Sequence, residues 1–335
     1  MITYKKYNPF FLSGKYIDEI ITMKDTGEKE WLKKILKIKP EKMVEPEIRV
    51  GGGFADVAGM DHLKSIVTEN FVNAIKYPKQ ATLYNVKPAN LLFYGPPGCG
   101  KTYFAKKIAE EVGVSFIAAT PDELGSTYIH GSQQKIRALF DEAEKKAPTI
   151  IFLDEIDTLI PDRSIDENKH QANETNEFLV MLNDSISKGI YVIGATNNME
   201  NIERAALRPG RFDERVYIGL PDVQSRKAMF EYYFDKLPVA EDMNYEALAK
   251  QTEGFSCSDI DYAVRKTSKT IFNQAIKKTD DDDHICLITQ KIVEDVITNL
   301  KPSVSKNELT KYEEMRDKYG FGKASVAIRK VGFSI

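Results

Sequence analysis

The chain has 335 residues, 42% of them hydrophobic and 29% charged, a composition that fits one large folded domain with a smaller one and excludes a disordered chain. The net charge of −3 gives no support for nucleic-acid binding, which usually requires a strongly basic balance. Three widely spaced cysteines form no CxxC pair, which argues against a zinc site or a disulfide framework and favours a reducing compartment. The sequence contains no run approaching the roughly 20 apolar residues of a membrane span, and its first residues lack the apolar segment of a signal peptide. We therefore expect a cytoplasmic protein without a membrane span.

Residues 1–53 differ from the rest and are predicted to be an N-terminal appendage with a glycine-rich linker. Apolar residues recur at helical spacing between Trp31 and Ile38, with lysines between them. Such a basic amphipathic helix can bind a membrane surface or a partner, or it can dock on its own protein, and these alternatives stay open. Residues 1–50 are therefore a candidate adaptor-binding segment, and Gly51-Gly52-Gly53 is predicted to be a flexible hinge.

Residues 54–221 show short apolar runs that alternate with longer amphipathic segments, which predicts an α/β domain with a parallel sheet. The predicted strands are Asn90–Tyr94, Ser115–Thr120, Thr149–Asp154, Ile190–Thr196 and Arg215–Leu220. Helices are predicted between them, for example at Thr102–Val112 and Gln133–Lys145.

Beyond Pro221 the strand signals largely stop. Helical patterns there predict a small helical lid domain over residues 222–303, with helices near 224–237, 244–252, 258–278 and 290–300. In the last segment, residues 304–335, Ser305 and Glu308 have the spacing of a capping box. This predicts a C-terminal helix that begins after Ser305 and ends before Gly320, followed by a basic tail.

The strongest motif is a phosphate-binding loop, Gly95–Thr102, with the sequence GPPGCGKT and the pattern GxxxxGK[ST]. It follows an apolar strand and opens a helix, so backbone N–H groups and the positive helix end can cradle a phosphate. We predict that Lys101 reaches the β- and γ-phosphates of ATP and that Thr102 ligates Mg²⁺. The remaining nucleotide contacts in the loop are assigned to Pro97, Gly98, Cys99 and Gly100.

Two carboxylates, Asp154 and Glu155, follow a buried strand about fifty residues after this loop. Ligands of parallel sheets bind at the carboxyl ends of the strands, where the phosphate-binding loop also lies. Asp154 is therefore predicted to hold Mg²⁺, directly or through water, and Glu155 to polarise the water that attacks the γ-phosphate.

Two further patterns are weaker when each stands alone. Asn197 follows another apolar strand, where a polar residue can hold the attacking water, although asparagine after a strand usually starts a turn. Arg208 and Arg211 lie three residues apart on a turn that contains Pro209 and Gly210, which suits delivery of guanidinium groups to a phosphate. A pair of surface arginines in local salt bridges is the alternative.

Together these motifs resemble the classical AAA ATPases, the branch of FtsH-type proteases, proteasomal ATPases, katanin and the valosin-containing unfoldases. The resemblance covers about residues 54–320 and begins with Phe54–Gly59 (FADVAG). It implies a P-loop NTPase (AAA+) domain followed by a helical lid, binding ATP or ADP with Mg²⁺. The HExxH motif of an FtsH-type protease is missing from the sequence, so we do not expect proteolysis.

The resemblance also implies roles for individual residues. Asn197 matches the family's sensor, and Arg208 and Arg211 match arginine fingers that act on ATP held by the neighbouring subunit, so a homo-oligomer, usually a hexamer, is expected. Tyr128 and Ile129 match the aromatic-aliphatic pair of the central pore loop. Contacts with the adenine are implied for Asp56, Ala58 and Tyr233.

Three positions depart from the family pattern. His130 stands where glycine usually follows the pore-loop pair, and Cys257-Ser258-Asp259 replaces the usual Gly-Ala-Asp of the lid. Ala172-Asn173 replaces a basic pair that often precedes the helix after the second pore loop, so subunit coupling is expected to differ.

The sequence therefore predicts an ATP-hydrolysing motor that unfolds, threads or remodels a protein substrate as a ring. The first alternative is an assembly or disassembly factor that remodels a complex without threading. A nucleic-acid-acting AAA+ protein is a further alternative, against which the acidic middle of the chain and the lack of a helix-turn-helix signal both count. A nucleotide-dependent binding module with negligible turnover is the last.

Overall fold

The computed structural model describes residues 51–124, 131–162, 169–278 and 285–319. Its centre is a parallel sheet with the strand order β2-β3-β4-β1-β5. The five strands are β1 (Leu91–Tyr94), β2 (Ser115–Ala119), β3 (Thr149–Leu153), β4 (Ile190–Thr196) and β5 (Glu214–Tyr217). The predicted α/β fold is confirmed, and each predicted strand is present within a few residues of its expected bounds.

Helices cover both faces of this sheet, which explains the nearly continuous apolar character of its strands. Leu92 and Tyr94 of β1 belong to a core cluster on one face, whereas Leu91 and Phe93 belong to the cluster on the other. This alternation follows from the two-residue period of a strand. The α/β part of the chain is therefore three layers thick.

The described helices in the α/β part flank the strands in chain order. They are α1 (Asp61–Val67), α2 (Asn73–Lys76), α3 (Pro78–Leu83), α4 (Lys101–Val112), α5 (Pro121–Leu124), α6 (Gly131–Lys145), α7 (Ile156–Leu159) and α8 (Lys169–Ser185). A π-helical turn, Thr68–Val72, connects α1 to α2. Short 3-10 helices cover Gly53–Asp56, Ile186–Lys188, Met199–Asn201 and Arg204–Leu207.

A helical region follows the sheet and has its own core cluster, which includes Phe230, Phe234, Ile260 and Val293. Its helices are α9 (Val223–Phe234), α10 (Tyr245–Gln251), α11 (Cys257–Lys278) and α12 (Gln290–Thr298). No helix in the described ranges is both long enough and apolar enough to cross a membrane.

The C-terminal helix α13 (Lys306–Tyr319) begins at the predicted capping box. The Ser305 backbone N–H donates to Glu308 Oε2 at 2.8 Å, and the Glu308 N–H donates back to Ser305 Oγ at 3.3 Å. Met315 and Tyr319 then pack against a core cluster of the sheet rather than against the helical region. The helix therefore returns the chain to the α/β part.

The glycines of the predicted hinge lie against helix α4. A Cβ atom on Gly51 would come within 2.0 Å of Glu110, and Gly53 is buried with a φ of +56° beside the backbone of Glu111. The Phe54 N–H also donates to Glu111 Oε2 at 3.0 Å. Close backbone approach therefore requires glycine at Gly53, whereas the atoms nearest to Gly51 belong to the Glu110 side chain, and the flexible hinge stays a prediction.

Candidate active site

The predicted functional residues follow three neighbouring strands. In the sheet β4 lies between β3 and β1, with Leu153 opposite Gly194 and Tyr94 opposite Thr196. Because the strands are parallel, the segments after β1, β3 and β4 meet at one edge of the sheet. The phosphate-binding loop, the carboxylate pair and Asn197 are thereby brought together.

The phosphate-binding loop uses glycine where the backbone is left-handed. Gly98 has a φ of +73° and Gly100 a φ of +84°, and Gly100 caps the N-terminus of α4. Gly95 approaches β5 so closely that a Cβ atom would lie 2.2 Å from Ile218 O. Cys99 is buried between these glycines, and burial raises the pKa of its thiol to about 11, so the thiol is protonated at neutral pH.

The ammonium group of Lys101 lies beneath this loop with only 7% of the residue exposed. It donates to the carbonyls of Gly95 at 2.9 Å and Pro96 at 2.8 Å and to Asn197 Oδ1 at 2.7 Å. Burial lowers the pKa of Lys101, and the nearby carboxylate of Asp154 opposes that shift. The three hydrogen bonds hold the cation at the loop and join it to the predicted sensor residue.

Thr102 and Asp154 form the candidate Mg²⁺ site. Thr102 Oγ1 donates to Asp154 Oδ2 at 2.8 Å. Adjacent ligands of an octahedral Mg²⁺ with bonds of about 2.0–2.1 Å lie about 2.9 Å apart, so this oxygen pair has a suitable spacing. Hydroxyl and carboxylate oxygens are also the ligand types that Mg²⁺ prefers. The two residues therefore fit the ion.

Glu155 occupies a strained position directly after the metal-site carboxylate. Its φ of +47° lies in the left-handed region, which costs a residue other than glycine on the order of 1–3 kcal/mol. Its N–H donates to Asp154 Oδ1 at 3.0 Å, and its carbonyl accepts from Thr158 Oγ1 at 2.9 Å. These bonds hold the backbone in that conformation, and the carboxylate is left exposed to solvent.

Asn197 is supported by the residues that flank it. Thr196 Oγ1 donates to Asp157 Oδ1 at 2.6 Å and accepts from the Asn198 N–H at 2.8 Å. Together with the bond from Lys101, these contacts fix the end of β4 to the segment that follows β3. A polar side chain is thus placed beside both the loop and the carboxylates.

The predicted adenine strip, Asp56 to Ala58, lies between two cores. Val57 belongs to a core cluster of the sheet, whereas Ala58 packs against the cluster of the helical region. The Asp56 carboxylate accepts from Lys107, which lowers the pKa of Asp56, and the Asp56 carbonyl accepts from the Tyr103 hydroxyl at 2.9 Å. The strip is thus attached to α4, the helix that begins with Lys101.

Tyr233 approaches the same place from the helical region. It packs half-buried against the cluster of that region, and its ring meets the Tyr232 ring edge-on at 5.7 Å. Burial, with smaller contributions from neighbours that include Asp261 and Tyr103, raises the pKa of Tyr233 to about 12. An aromatic side chain from the helical region therefore lies near the strip.

The helical region contacts the phosphate-binding loop directly. The Ser258 N–H, at the start of α11, donates to the Gly98 carbonyl at 3.0 Å. Asp259 Oδ2 accepts from the Ser256 N–H at 2.9 Å, and Ser256 Oγ accepts from the Asp259 N–H at 3.2 Å, a capping box that the sequence analysis missed although its spacing was readable. The departure at Cys257-Ser258-Asp259 thus preserves a contact between this region and the loop.

The two predicted arginine fingers have different surroundings. Arg208 is exposed, and its side chain makes no hydrogen bond or ion pair with any described residue. Arg211 is partly buried, with Nε donating to Asn183 Oδ1 at 3.1 Å and Nη1 donating to Ala205 O at 2.7 Å. The structure therefore does not bring either arginine to the phosphate-binding loop of its own chain through any described contact.

Some predicted residues lie outside the described part of the chain. These are the pore-loop pair Tyr128 and Ile129, with His130, the first fifty residues and the basic tail. Conversely, Tyr103, Lys107 and Asn183 contact predicted site residues but belong to no motif, so no sequence pattern identified them.

Comparisons with known proteins agree with this geometry. Residues 91–220 match the model of the family described as ATPase family associated with various cellular activities (AAA). Over 307 residues the chain is 32% identical to the Cell division cycle protein 48 homolog of Archaeoglobus fulgidus. The match covers 89% of this chain and 42% of that protein, so the chain spans less than half the length of this curated relative.

Proposed function

Residues 91–220 of the chain belong to the AAA ATPase family, and on this premise we propose that the chain is an ATP-driven motor that acts on another protein as a ring of identical subunits, usually six in this family. The observation that carries the proposal is the contrast between the phosphate site and Arg208. The groups of the phosphate site are bonded to one another, whereas Arg208 is exposed and its side chain has no partner among the described residues. The phosphate site of one subunit therefore binds the nucleotide, and Arg208 of the neighbouring subunit completes the active site.

The receiving half of the site is the part that binds the nucleotide within one chain, and each of its residues has a defined task. Backbone N–H groups at Gly98 and Gly100 and the ammonium of Lys101 bind the phosphates. Thr102 and Asp154 hold Mg²⁺, which when bound neutralises charge on the phosphate oxygens. Glu155 takes the proton of the attacking water, and Asn197 orients that water. Asp56, Ala58 and Tyr233 contact the adenine.

The second half is supplied by the neighbouring subunit. A guanidinium group presented to the transferring phosphoryl group stabilises the charge that develops there. Arg208 lies on a turn that contains Gly210, whose φ is +88°, and residues 208–210 of this turn are exposed to solvent. Hydrolysis by this chain therefore depends on assembly.

Mixing two inactive variants tests this proposal. Arg208→Ala leaves the phosphate site intact, and Glu155→Gln leaves the arginines intact, so a mixed ring contains interfaces in which both halves work. We expect phosphate release from the mixture to exceed that of either variant alone. Verified co-assembly without any recovery would contradict completion of the site between subunits.

The proposed action on protein rests on Tyr128 and Ile129, which lie outside the described residues. An aromatic ring offers apolar contact to any extended peptide with little dependence on sequence. We expect Tyr128→Ala to retain basal hydrolysis and oligomer size while unfolding of a fused reporter protein fails. Normal unfolding by this variant would favour remodelling without threading.

A further inference from the structure

The side chain of Arg211 is held within its own subunit. Two of its donors are used, one by Asn183 Oδ1 at 3.1 Å and one by the Ala205 carbonyl at 2.7 Å. Asn183 lies near the end of α8, and Ala205 lies in the 3-10 helix that precedes the arginine turn. Arg211 thus links its own turn and the adjoining 3-10 helix to α8, which is 28 residues away at Asn183.

The same turn is attached to α8 at a second point. Phe212 is buried, and its ring stacks on Phe178 of α8 with a centroid distance of 6.5 Å. The Phe212 N–H donates to Ala206 O at 3.1 Å, and the Gly210 N–H donates to Asp213 Oδ1 at 2.6 Å. With Phe212 anchoring its apolar side and Arg211 its polar side, the turn has a fixed orientation on the helix.

The exposed residue Arg208 lies on this turn. The Arg211 N–H donates to the Arg208 carbonyl at 3.2 Å, so the backbone of Arg208 is bonded to that of Arg211, whose side chain is held on α8. A guanidinium that reaches a phosphate across a subunit boundary has to be oriented before the neighbour arrives, because misplacement by about 1 Å can cost about 10²-fold in rate.

We propose that Arg211 and Asn183 are positioning residues that orient Arg208 and that Arg211 is not itself a second arginine finger. The proposal rests on the proposed function, since it assumes that Arg208 acts on the nucleotide of the neighbouring subunit. To reach that nucleotide, Arg211 would have to release both of its acceptors, Asn183 Oδ1 and Ala205 O. While these two hydrogen bonds are made, the planar guanidinium group of Arg211 holds the turn in place on α8.

Kinetics of combined variants test the division of roles. In assembled rings at saturating ATP, Arg208→Ala is expected to lower kcat about 10³–10⁵-fold. Arg211→Ala and Asn183→Ala are each expected to lower kcat by up to about 10²-fold without raising the KM for ATP. Added to Arg208→Ala, neither should lower the remaining single-turnover rate further, because the group that they orient is already absent.

Conservative and matched variants separate positioning from general damage. Asn183→Asp keeps an acceptor for Arg211 and should restore kcat to within a few-fold of the native chain. Asn299→Ala removes an asparagine that bonds the Asp295 carbonyl at 2.7 Å in the helical region, and it should leave kcat unchanged. If Asn183→Ala disturbs assembly, the Arg211→Ala and Asn183→Asp rings still provide the comparison.

Two results would overturn the inference. One is a further loss from Arg211→Ala in the Arg208→Ala background that matches its loss in the native chain, since two independent fingers give that result. The other is near-native kcat for Asn183→Ala while Arg211→Ala is as inactive as Arg208→Ala. Normal hydrolysis by Arg208→Ala itself would instead refute the proposed function, so the two failures are distinguishable.

Discussion

Lys101 and Arg208 are both predicted to bind the phosphates of ATP, yet their surroundings in the chain are opposite. Lys101 is buried and has three oxygen acceptors within 2.9 Å. Arg208 is exposed, and its guanidinium group makes no hydrogen bond or ion pair with the residues described in the structure. A cation that serves its own active site can be held by its own chain, whereas one that serves a neighbour has to be left open.

Arg211 extends this comparison, because it lies three residues from Arg208 but has surroundings closer to those of Lys101. It is partly buried and bonded to two acceptors of its own chain. Position in the motif therefore does not determine whether an arginine side chain is open to a neighbouring subunit or is bonded within its own chain; the contacts of the side chain distinguish the two cases.

The largest expected effect is that of Arg208→Ala. It should lower kcat about 10³–10⁵-fold while ATP affinity and thermal stability stay close to native, because the side chain has no partner to lose among the described residues. Steady-state hydrolysis, nucleotide titration and thermal unfolding measure the three quantities.

Arg204→Ala is the matched control for this variant. Arg204 lies four residues earlier, with its side chain 91% exposed and a long contact of 3.9 Å to Asp162. We expect near-native kcat from it. An equal loss from both arginines would indicate a general need for positive charge on this surface and would remove the contrast between Arg208 and its neighbours.

Glu155→Gln should have the next largest effect, about 10²–10⁴-fold on kcat, with ATP binding retained. The amide keeps the shape of the side chain but cannot take a proton. Glu200→Gln removes an exposed carboxylate that pairs with Lys318 at 2.8 Å, and it should leave hydrolysis unchanged. Turnover near the native rate in the Glu155→Gln protein would show that the water is activated elsewhere.

The receiving half of the site could be predicted from sequence almost completely. The strands that carry it are short apolar runs, and the segments from Gly95 to Thr102 and at Asp154-Glu155 follow them directly, so local pattern and sheet topology give the same answer. The left-handed backbone of Glu155 was not predictable, because it depends on contacts with Asp154 and Thr158 rather than on residue type.

The second half of the site, which the neighbouring subunit supplies, could be predicted from sequence only as the motif that contains Arg208 and Arg211. The bond between Arg211 and Asn183 spans 28 residues, and Asn183 has no feature that separates it from other helical asparagines. The return of α13 to the sheet, where Arg316 lies 5.8 Å from the centre of the Tyr217 ring, is likewise a tertiary contact without a sequence signature. Such pairings arise from packing, which local propensity does not encode.

Lys101→Ala tests the comparison between Lys101 and Arg208 at the buried cation. It removes a phosphate contact and leaves Gly95 O, Pro96 O and Asn197 Oδ1 without their donor, so we expect a loss of roughly 10–100-fold in ATP affinity, as for one charge-assisted hydrogen bond. Lys106→Ala, on the exposed side of the same helix, is the control and should bind ATP normally. If the two variants bind equally well, the buried ammonium is a structural group and not a phosphate ligand.

The smallest expected effect concerns the attachment of the helical region beside the loop. Asp259 Oδ2 accepts from the Ser256 N–H at 2.9 Å and from the N–H and Oγ of Ser303 at 3.1 and 2.9 Å. Asp259→Ala breaks this link and the helix cap, so we expect a loss of about 1–2 kcal/mol in the free energy of unfolding. Denaturant unfolding measures it.

Asp261→Ala is the control for this last prediction, because among the described residues the Asp261 carboxylate forms an ion pair with Arg265, one helical turn further along α11, at 2.7 Å. A surface pair with this spacing contributes about 0.3–0.5 kcal/mol. The difference in the free energy of unfolding between the two variants therefore separates the contribution of the Asp259 bonds from the general effect of losing a carboxylate on α11. Since the Ser258 N–H that bonds Gly98 is adjacent to Asp259, weakening this link should also raise the KM for ATP, whereas Asp261→Ala should not. Equal stability and equal KM in both would mean that the bonds between Asp259 and Ser303 contribute nothing measurable to stability or to the hydrogen bond between Ser258 and Gly98.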